Sequence, residues 1–503
     1  MDLQVKQIKK NNKRVNLNVK KCKEDLIDKK ETCLSGKKDE EESRTSATSC
    51  KEDDRQSKNN IFEKKSVNQL IAYFSIPAII SLLLESFASM IDTAFAGHLG
   101  SISSNALSAM GIIGPILSLL IAAQLIFGVS TGIAIAKEMG ENSPQKINNT
   151  FKIGLYSTII FSSIISLIIF IGQDKLLDII GATGSIRILA KQYLNIAVIF
   201  NVFSSVGYTL VNNIRSFGYP KIEIIVVTSA TIINIIFNIL FTFVFHMGIV
   251  GIGLATLISE ISYTLFAYIF LLRKNLWIKK SRIKFIEVKP ILIFLIKIGF
   301  VQFLMQALNS LNGFTVNKIL INYGEVLYIG AWAICNSIYM MLLLPLIGFT
   351  EGIQSVIAYY QGSHNEEKKK ILKSKTLKYS LAYALITTTI VYVFSRGIIG
   401  VFTSDKNIID SAISITKIML LGFPFMGVIY TLVTFMQVSG QEENASKLEL
   451  VRQVFLFIPL CIILPILISK FNIINIDPGL GVFFAMPISN IISLFFYAGA
   501  KVR

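Results

Sequence analysis

Two carboxylates sit in a stretch otherwise apolar enough to enter a bilayer. Glu85 and Asp92 fall between Ile71 and Gly97, in IAYFSIPAIISLLLESFASMIDTAFAG. They are seven residues apart, so on a helix they share a face, roughly 10 Å apart along the axis. An ionisable side chain in the hydrocarbon core costs a few kcal/mol, so such groups face a polar cavity and point to function. A carboxyl in that setting exchanges a proton, and once charged it ligates a cation. The structural alternative for Asp92 is a bond to Ser89 or Thr93 nearby.

Further along, Asn234-Ile-Ile-Phe-Asn238 puts two amides four residues apart on one helical face. Each amide offers a carbonyl acceptor and two donors, which suits a cation, a water or a protonated carboxyl. Interhelical bonding is the plainer use of such amides. Leu254-Ala255-Thr256 adds a hydroxyl near the start of the next apolar stretch. Glu260 and Glu351 are the other acids in or beside apolar runs, and Gln354 follows Glu351 by about one turn. Glu85, Gln124, Gln302, Gln306, Glu351 and Gln354 together would line a cavity for cationic amphiphiles. Carboxylates would draw the charge, and Phe, Tyr and Met would give adaptable apolar contact.

These residues need helices to hold them. The chain is 52% hydrophobic and only 16% charged, against about 25% charged in a soluble domain. Its mean hydropathy is +0.59. Long apolar runs recur from Ile71 onward and strand-length alternation is absent, so the chain reads as an all-α polytopic membrane protein rather than a barrel. Twelve spans are predicted, near 68–96, 105–137, 150–172, 188–213, 222–246, 250–272, 290–318, 328–360, 376–401, 409–436, 447–469 and 479–500. Pro77, Pro115, Pro345, Pro424, Pro459 and Pro465 fall inside them, where each removes a backbone donor and favours a kink.

The net charge of +17 is read as basic cytoplasmic loops, with no nucleic-acid partner. Loops after even-numbered spans carry most of the Lys and Arg: Lys137, Lys146 and Lys152; Arg215 and Lys221; Arg273 to Lys289; Lys368 to Lys378; Lys447 and Arg452. Loops after odd-numbered spans hold few, among them Lys175, Arg187, Arg396 and Lys470. Both termini are therefore expected in the cytoplasm.

The chain also repeats itself. Gly128-Val-Ser-Thr-Gly132 recurs as Gly348-Phe-Thr-Glu-Gly352, Gly140 as Gly362, Arg215-Ser-Phe-Gly218 as Gln437-Val-Ser-Gly440, and Gly251-Ile-Gly253 as Gly479-Leu-Gly481. Four landmarks in order at nearly constant offset point to duplication. With six spans per half, the repeats are parallel, which favours a transporter whose lobes rock about a central site. The expected layout is a disordered tail over 1–65, an N-lobe over 66–272, a linker over 273–289 and a C-lobe over 290–503. The tail is polar and lacks the apolar segment of a signal peptide. Of five cysteines, Cys22, Cys33 and Cys50 lie in the tail, Cys335 and Cys461 in apolar helices, and none has zinc or redox spacing. Three histidines without a metal or base constellation leave no case for an enzyme.

The segments IPAIISLLLESFASMIDTAFAGHLG, NIIFN…GIVGIGLAT, RSFGYPK and GFTEGIQSVIAYYQGSHNEEKK resemble the multidrug and toxic compound extrusion (MATE) family, in its bacterial branches, over about residues 66–503. The resemblance implies twelve transmembrane helices in two pseudosymmetric six-helix lobes, and a plasma-membrane antiporter, expected to act as a monomer. It would export organic cations or drugs in exchange for H⁺ or Na⁺, without a cofactor. It also implies an N-lobe coupling site: Asp92 matches the first-helix Asp, Asn234 the Asn of the fifth-helix N-x-x-x-D motif, and Thr256 the Thr after the following glycines. Asn238 stands where many relatives have Asp, which removes a charge. A Na⁺ there would take Asp92, Asn234 and Asn238 as oxygen ligands. The C-lobe acids of other relatives have no match, because Gln302, Gln306 and Gln437 occupy those helices. The rival reading is a lipid-linked oligosaccharide flippase of the same superfamily. That would need several cations within the spans, and Lys297 is the main one.

Overall fold

The computed structural model describes residues 61–278, 283, 285–322, 326–403, 405–471 and 478–502. The tail expected to be disordered lies outside them, apart from its last few residues, and so do Cys22, Cys33 and Cys50. A helical turn, Ile61–Lys64, belongs to a unit separate from Lys65 onward.

From Val67 the described chain is helical. The first half comprises α1 (Val67–Ala96), α2 (Ser103–Gly140), α3 (Pro144–Ile180), α4 (Gly184–Ser216), α5 (Pro220–Ile239) and α6 (Gly248–Arg273). The second comprises α7 (Phe285–Asn322), α8 (Val326–Gly362), α9 (Glu366–Gly400), α10 (Lys406–Leu420), α11 (Phe423–Val438), α12 (Glu442–Leu450), α13 (Ile458–Phe471) and α14 (Gly481–Val502). Local sequence sets the ends. Ser66 opens α1 with a capping box: its Oγ accepts from the Gln69 N–H at 3.4 Å and its own N–H donates to Gln69 Oε1 at 3.0 Å.

Among the described residues, ten helices are long and apolar enough to cross a membrane. The pair α10–α11 makes an eleventh span, bent by 43°, and the shorter apolar helix Gly481–Tyr497 completes the expected twelve. The single span predicted over 409–436 is therefore broken. Pro424 lies at the start of α11, where its missing N–H is not needed. Gly422, just before it, lets α14 approach: a Cβ there would lie 2.7 Å from Pro487 Cα.

The duplication is visible in three dimensions. Thr158 and Thr209 join α3 to α4 through their hydroxyls at 3.1 Å. Ser380 and Thr431, each 222 residues later, join α9 to α11 at 3.0 Å. Gly218 and Gly440, also 222 apart, both take the left-handed conformation after the fourth span of their half, at φ 91° and 82°.

The two lobes meet at the end of the molecule where α1 begins, called the basal end here. Gly140 and Gly362 face each other where α2 and α8 cross. A Cβ on Gly140 would fall 2.2 Å from Tyr359 O, and one on Gly362 would fall 1.9 Å from Lys137 O. Gly352 and Gly348 of α8 press on the α1 backbone at Phe74 and Ile79, and Gly299 of α7 presses on Ile126 of α2. Hydrogen bonds add to this seam: Ser75 Oγ donates to Phe349 O at 3.1 Å, and the Ser216 and Ser355 hydroxyls meet at 3.1 Å.

Candidate functional site

The structure brings Asp92, Asn234, Asn238 and Thr256 together inside the first lobe. α1 delivers Asp92 one turn before its end. α5 stacks Asn234 under Asn238, and α6 presents Thr256 two turns after its start. Asn238 Nδ2 donates to Asp92 Oδ1 at 2.7 Å and to Asn234 Oδ1 at 3.0 Å. Thr256 Oγ1 donates to Asp92 Oδ2 at 3.0 Å, and Asn234 Nδ2 reaches Thr256 Oγ1 at 3.5 Å. Both carboxylate oxygens are thus held by neutral donors. Asp92 is 6% exposed, Asn234 3% and Asn238 0%. Tyr193 of α4, also buried, sits against Thr256.

Two features bear on the chemistry. Asn238 Oδ1 is buried without a hydrogen-bond partner among the described residues, a free acceptor beside an acid. The α5 helix then widens into a π-helical segment, Leu240–Val244, two residues past Asn238. Such bulges recur at functional sites because they loosen the backbone ladder. No group of three or more His, Cys, Asp or Glu side chains converges to hold a metal among the described residues. A cation here would rest on one carboxylate and neutral oxygens, a set that fits a monovalent hard ion.

The residues expected to line a cavity are spread more widely. Glu85 is exposed on α1, within electrostatic reach of Glu260, Glu351, Glu223 and Arg215. Glu260, one turn past Thr256, sits against Ser204, whose hydroxyl donates to Gln124 Oε1 at 3.4 Å. Gln306 is half-buried on α7. Glu351 and Gln354 are buried, at 8% and 3% exposed, on the part of α8 that meets the first lobe. Gln302 bonds Gln437 Oε1 at 3.1 Å, so those amides pair with each other.

Charge counting along the sequence missed two buried ion pairs. Arg215, read as a loop cation, is 4% exposed and forks onto Glu223 at 2.8 and 2.5 Å, while its Nη1 reaches Glu351 O across the lobe seam at 3.3 Å. Arg452, also read as a loop cation, is 5% exposed and pairs with Glu449. The available signal was spacing: Arg215–Glu223 spans the turn at Gly218, and Glu449–Arg452 is an i, i+3 pair at the edge of an apolar run.

A twelve-span, duplicated, all-helical molecule with a buried acid in its first helix defines a membrane transporter of two lobes. The family model MatE matches the chain twice, over residues 77–240 and 302–463, once in each half. The chain belongs to that family, the MATE transporters. It is 27% identical over 393 residues to the multidrug export protein MepA of Staphylococcus saprophyticus, covering 78% of this chain and 86% of that one. It is 28% identical over 385 residues to MepA of Staphylococcus haemolyticus, covering 76% and 84%. Among solved structures, the Vibrio cholerae MATE transporter VcmN in its bent form superposes with a TM-score of 0.78 at 19% identity, over 86% of this chain and 97% of that one. A multidrug resistance MATE transporter in an outward-facing conformation gives 0.77 at 20%, over 86% and 95%. At these identities the structural likeness establishes the fold.

Proposed function

We propose that this protein is a multidrug exporter of the plasma membrane that expels cationic or amphiphilic organic compounds in exchange for H⁺ or Na⁺. The observation that carries the proposal is the buried Asp92, held among the described residues by the neutral groups of Asn238 and Thr256, with Asn234 beside them. The MepA relatives, named as multidrug export proteins, support the substrate class and do not favour the flippase. Lys297, the cation that a flippase would most need, is exposed on α7.

In this reading the basal end is cytoplasmic and both termini lie there. The lobes, residues 66–272 and 290–503, pack at the basal seam and admit the ion from the distal side. Binding at Asp92 replaces its bonds to Asn238 and Thr256, which lie on α5 and α6, and so shifts α1 against them. Transport is coupled only if ion and drug each differ in free energy of binding between the two conformations. The Glu85 neighbourhood supplies the negative charge that meets a cationic drug.

The test is ethidium efflux from reconstituted vesicles under a pH gradient or a Na⁺ gradient, imposed separately, for the wild type and Asp92→Asn. Drive by one gradient, lost in the variant, is expected and names the ion. An Asp92→Asn protein that exports normally under the same gradient would overturn the role of Asp92.

A further inference from the structure

The second lobe has a polar cluster of its own, built from the first, fifth and sixth spans of that half, as the Asp92 site is built in the first. α12 and the π-helical segment Val451–Phe457 carry Glu449, Arg452 and Gln453; α7 carries Asn312 and α14 carries Asn490. Arg452 Nη2 donates to Glu449 Oε2 at 2.5 Å and Nη1 to Asn490 Oδ1 at 3.4 Å. Gln453 Nε2 donates to Glu449 Oε2 at 2.7 Å, and Asn312 Nδ2 to Gln453 Oε1 at 2.8 Å. Asn490 is fixed in turn by donating to Gly422 O at 3.2 Å, at the break between α10 and α11. Glu449, Gln453 and Asn490 are 0%, 1% and 1% exposed. Tyr339 and Tyr430 flank the pair.

Oxygen atoms outnumber what the guanidinium uses. Glu449 Oε1 and Asn312 Oδ1 are buried without a hydrogen-bond partner among the described residues, and so is Arg452 Nε. The oxygens gathered here, the Glu449 carboxylate, Asn490 Oδ1 on the guanidinium and the unpartnered Asn312 Oδ1, are of the kind that hard cations take. Here a cation is already present, on a side chain that stays charged at any physiological pH. We infer that the second lobe contains a cation-binding site whose occupant is the chain's own guanidinium, Arg452. A tethered cation cannot dissociate, so this site exchanges no ion with either side of the membrane. Taken with the reading of Asp92 above, the Glu449 cluster is thereby excluded as a second exchange site.

The inference predicts that removing the guanidinium leaves a vacancy that a free cation fills. It is tested by thermal unfolding of the purified full-length protein in the Asp92→Asn background, which removes the first-lobe site. The salts are choline, sodium and potassium chloride at equal ionic strength, and choline chloride with millimolar guanidinium. Asp92→Asn alone should unfold at one temperature in all of them. Adding Arg452→Ala should lower Tm in choline. Guanidinium or an alkali cation should then restore it by several degrees, saturably. A further Glu449→Gln change should abolish that response. Equal Tm in every salt for a monodisperse Asp92→Asn/Arg452→Ala protein would overturn the inference, as would a response that survives Glu449→Gln. If the Arg452→Ala protein aggregates in choline, recovery of monodisperse protein by purification in sodium or guanidinium supports it, and recovery by neither overturns it. None of these outcomes depends on whether Asp92 drives transport.

Discussion

Asp92 in the first lobe and Glu449 in the second are each buried beside amides, and the two lobes treat that charge in opposite ways. Asp92 is held by an amide N–H and a hydroxyl, with no cation acting on it among the described residues. Glu449 is held by a guanidinium and an amide. Asn238, which bonds Asp92, lies two residues before the π-helical segment Leu240–Val244, and Glu449 lies two residues before Val451–Phe457. The depths differ. In the 222-residue register of the repeat, Gln453 falls opposite Thr231 and Glu449 opposite Val227, one to three turns nearer the basal end than Asn234 and Asn238. The lesson is that duplication preserved the helices and not the charge. A single arginine separates a carboxylate held by neutral donors alone from one paired with a cation of its own chain.

The contrast can be broken in order of effect. Asp92→Asn should reduce gradient-driven efflux to the level of empty vesicles while leaving the thermal transition close to wild type, because Asn keeps the volume and can still bond Thr256. Arg452→Ala should do the reverse and act first on stability. Stripping one partner from a buried ion pair costs about 3–5 kcal/mol, whereas Glu449→Gln with Arg452→Met, which removes both charges, should be close to neutral. Denaturant unfolding of the three proteins checks this. Gly362→Ala strikes the frame on which both sites sit. Its methyl would lie 1.9 Å from Lys137 O, and overpacking of that kind costs about 1–3 kcal/mol. The expected readout is greater labelling of cysteines placed at the basal seam. The finest test is Asn238→Asp, which puts a second carboxylate 2.7 Å from the first. Like charges that close require a shared proton or a bound cation. Efflux should persist, with its pH profile displaced and a stronger response to Na⁺.

Much of this was legible in the sequence for physical reasons that apply locally. Apolar runs of membrane length name the spans, and repeated glycines name the duplication. An acid inside such a run, with amides at i and i+4 on another, names residues that do prove to touch. What stayed hidden depends on pairing across elements. Arg215 and Arg452 looked like loop charges because each lies near the end of an apolar run; a glutamate stands close in sequence to each, but only the fold shows that both pairs are buried. The break in the tenth span was hidden for a related reason. Gly422 and Pro424 permit a bend, but the groups that fill it, Pro487 and Asn490 of α14, lie more than sixty residues away.

The crossing at Gly140 and Gly362 has a kinetic meaning. It is a contact of main chain on main chain, one side from each copy of the repeat, and in the proposed transport cycle it would be the gate. A gate of long side chains must re-sort rotamers each time it shuts, and every wrong packing is a path for leak. At the glycine crossing itself there are no rotamers to sort, and the side chains that bond across the rest of the seam, Ser75, Ser216, Ser355 and Arg215 among them, are few. Such a crossing is either in register or open, and under the exchange mechanism proposed above it would let the lobes reseal without a search through side-chain packings.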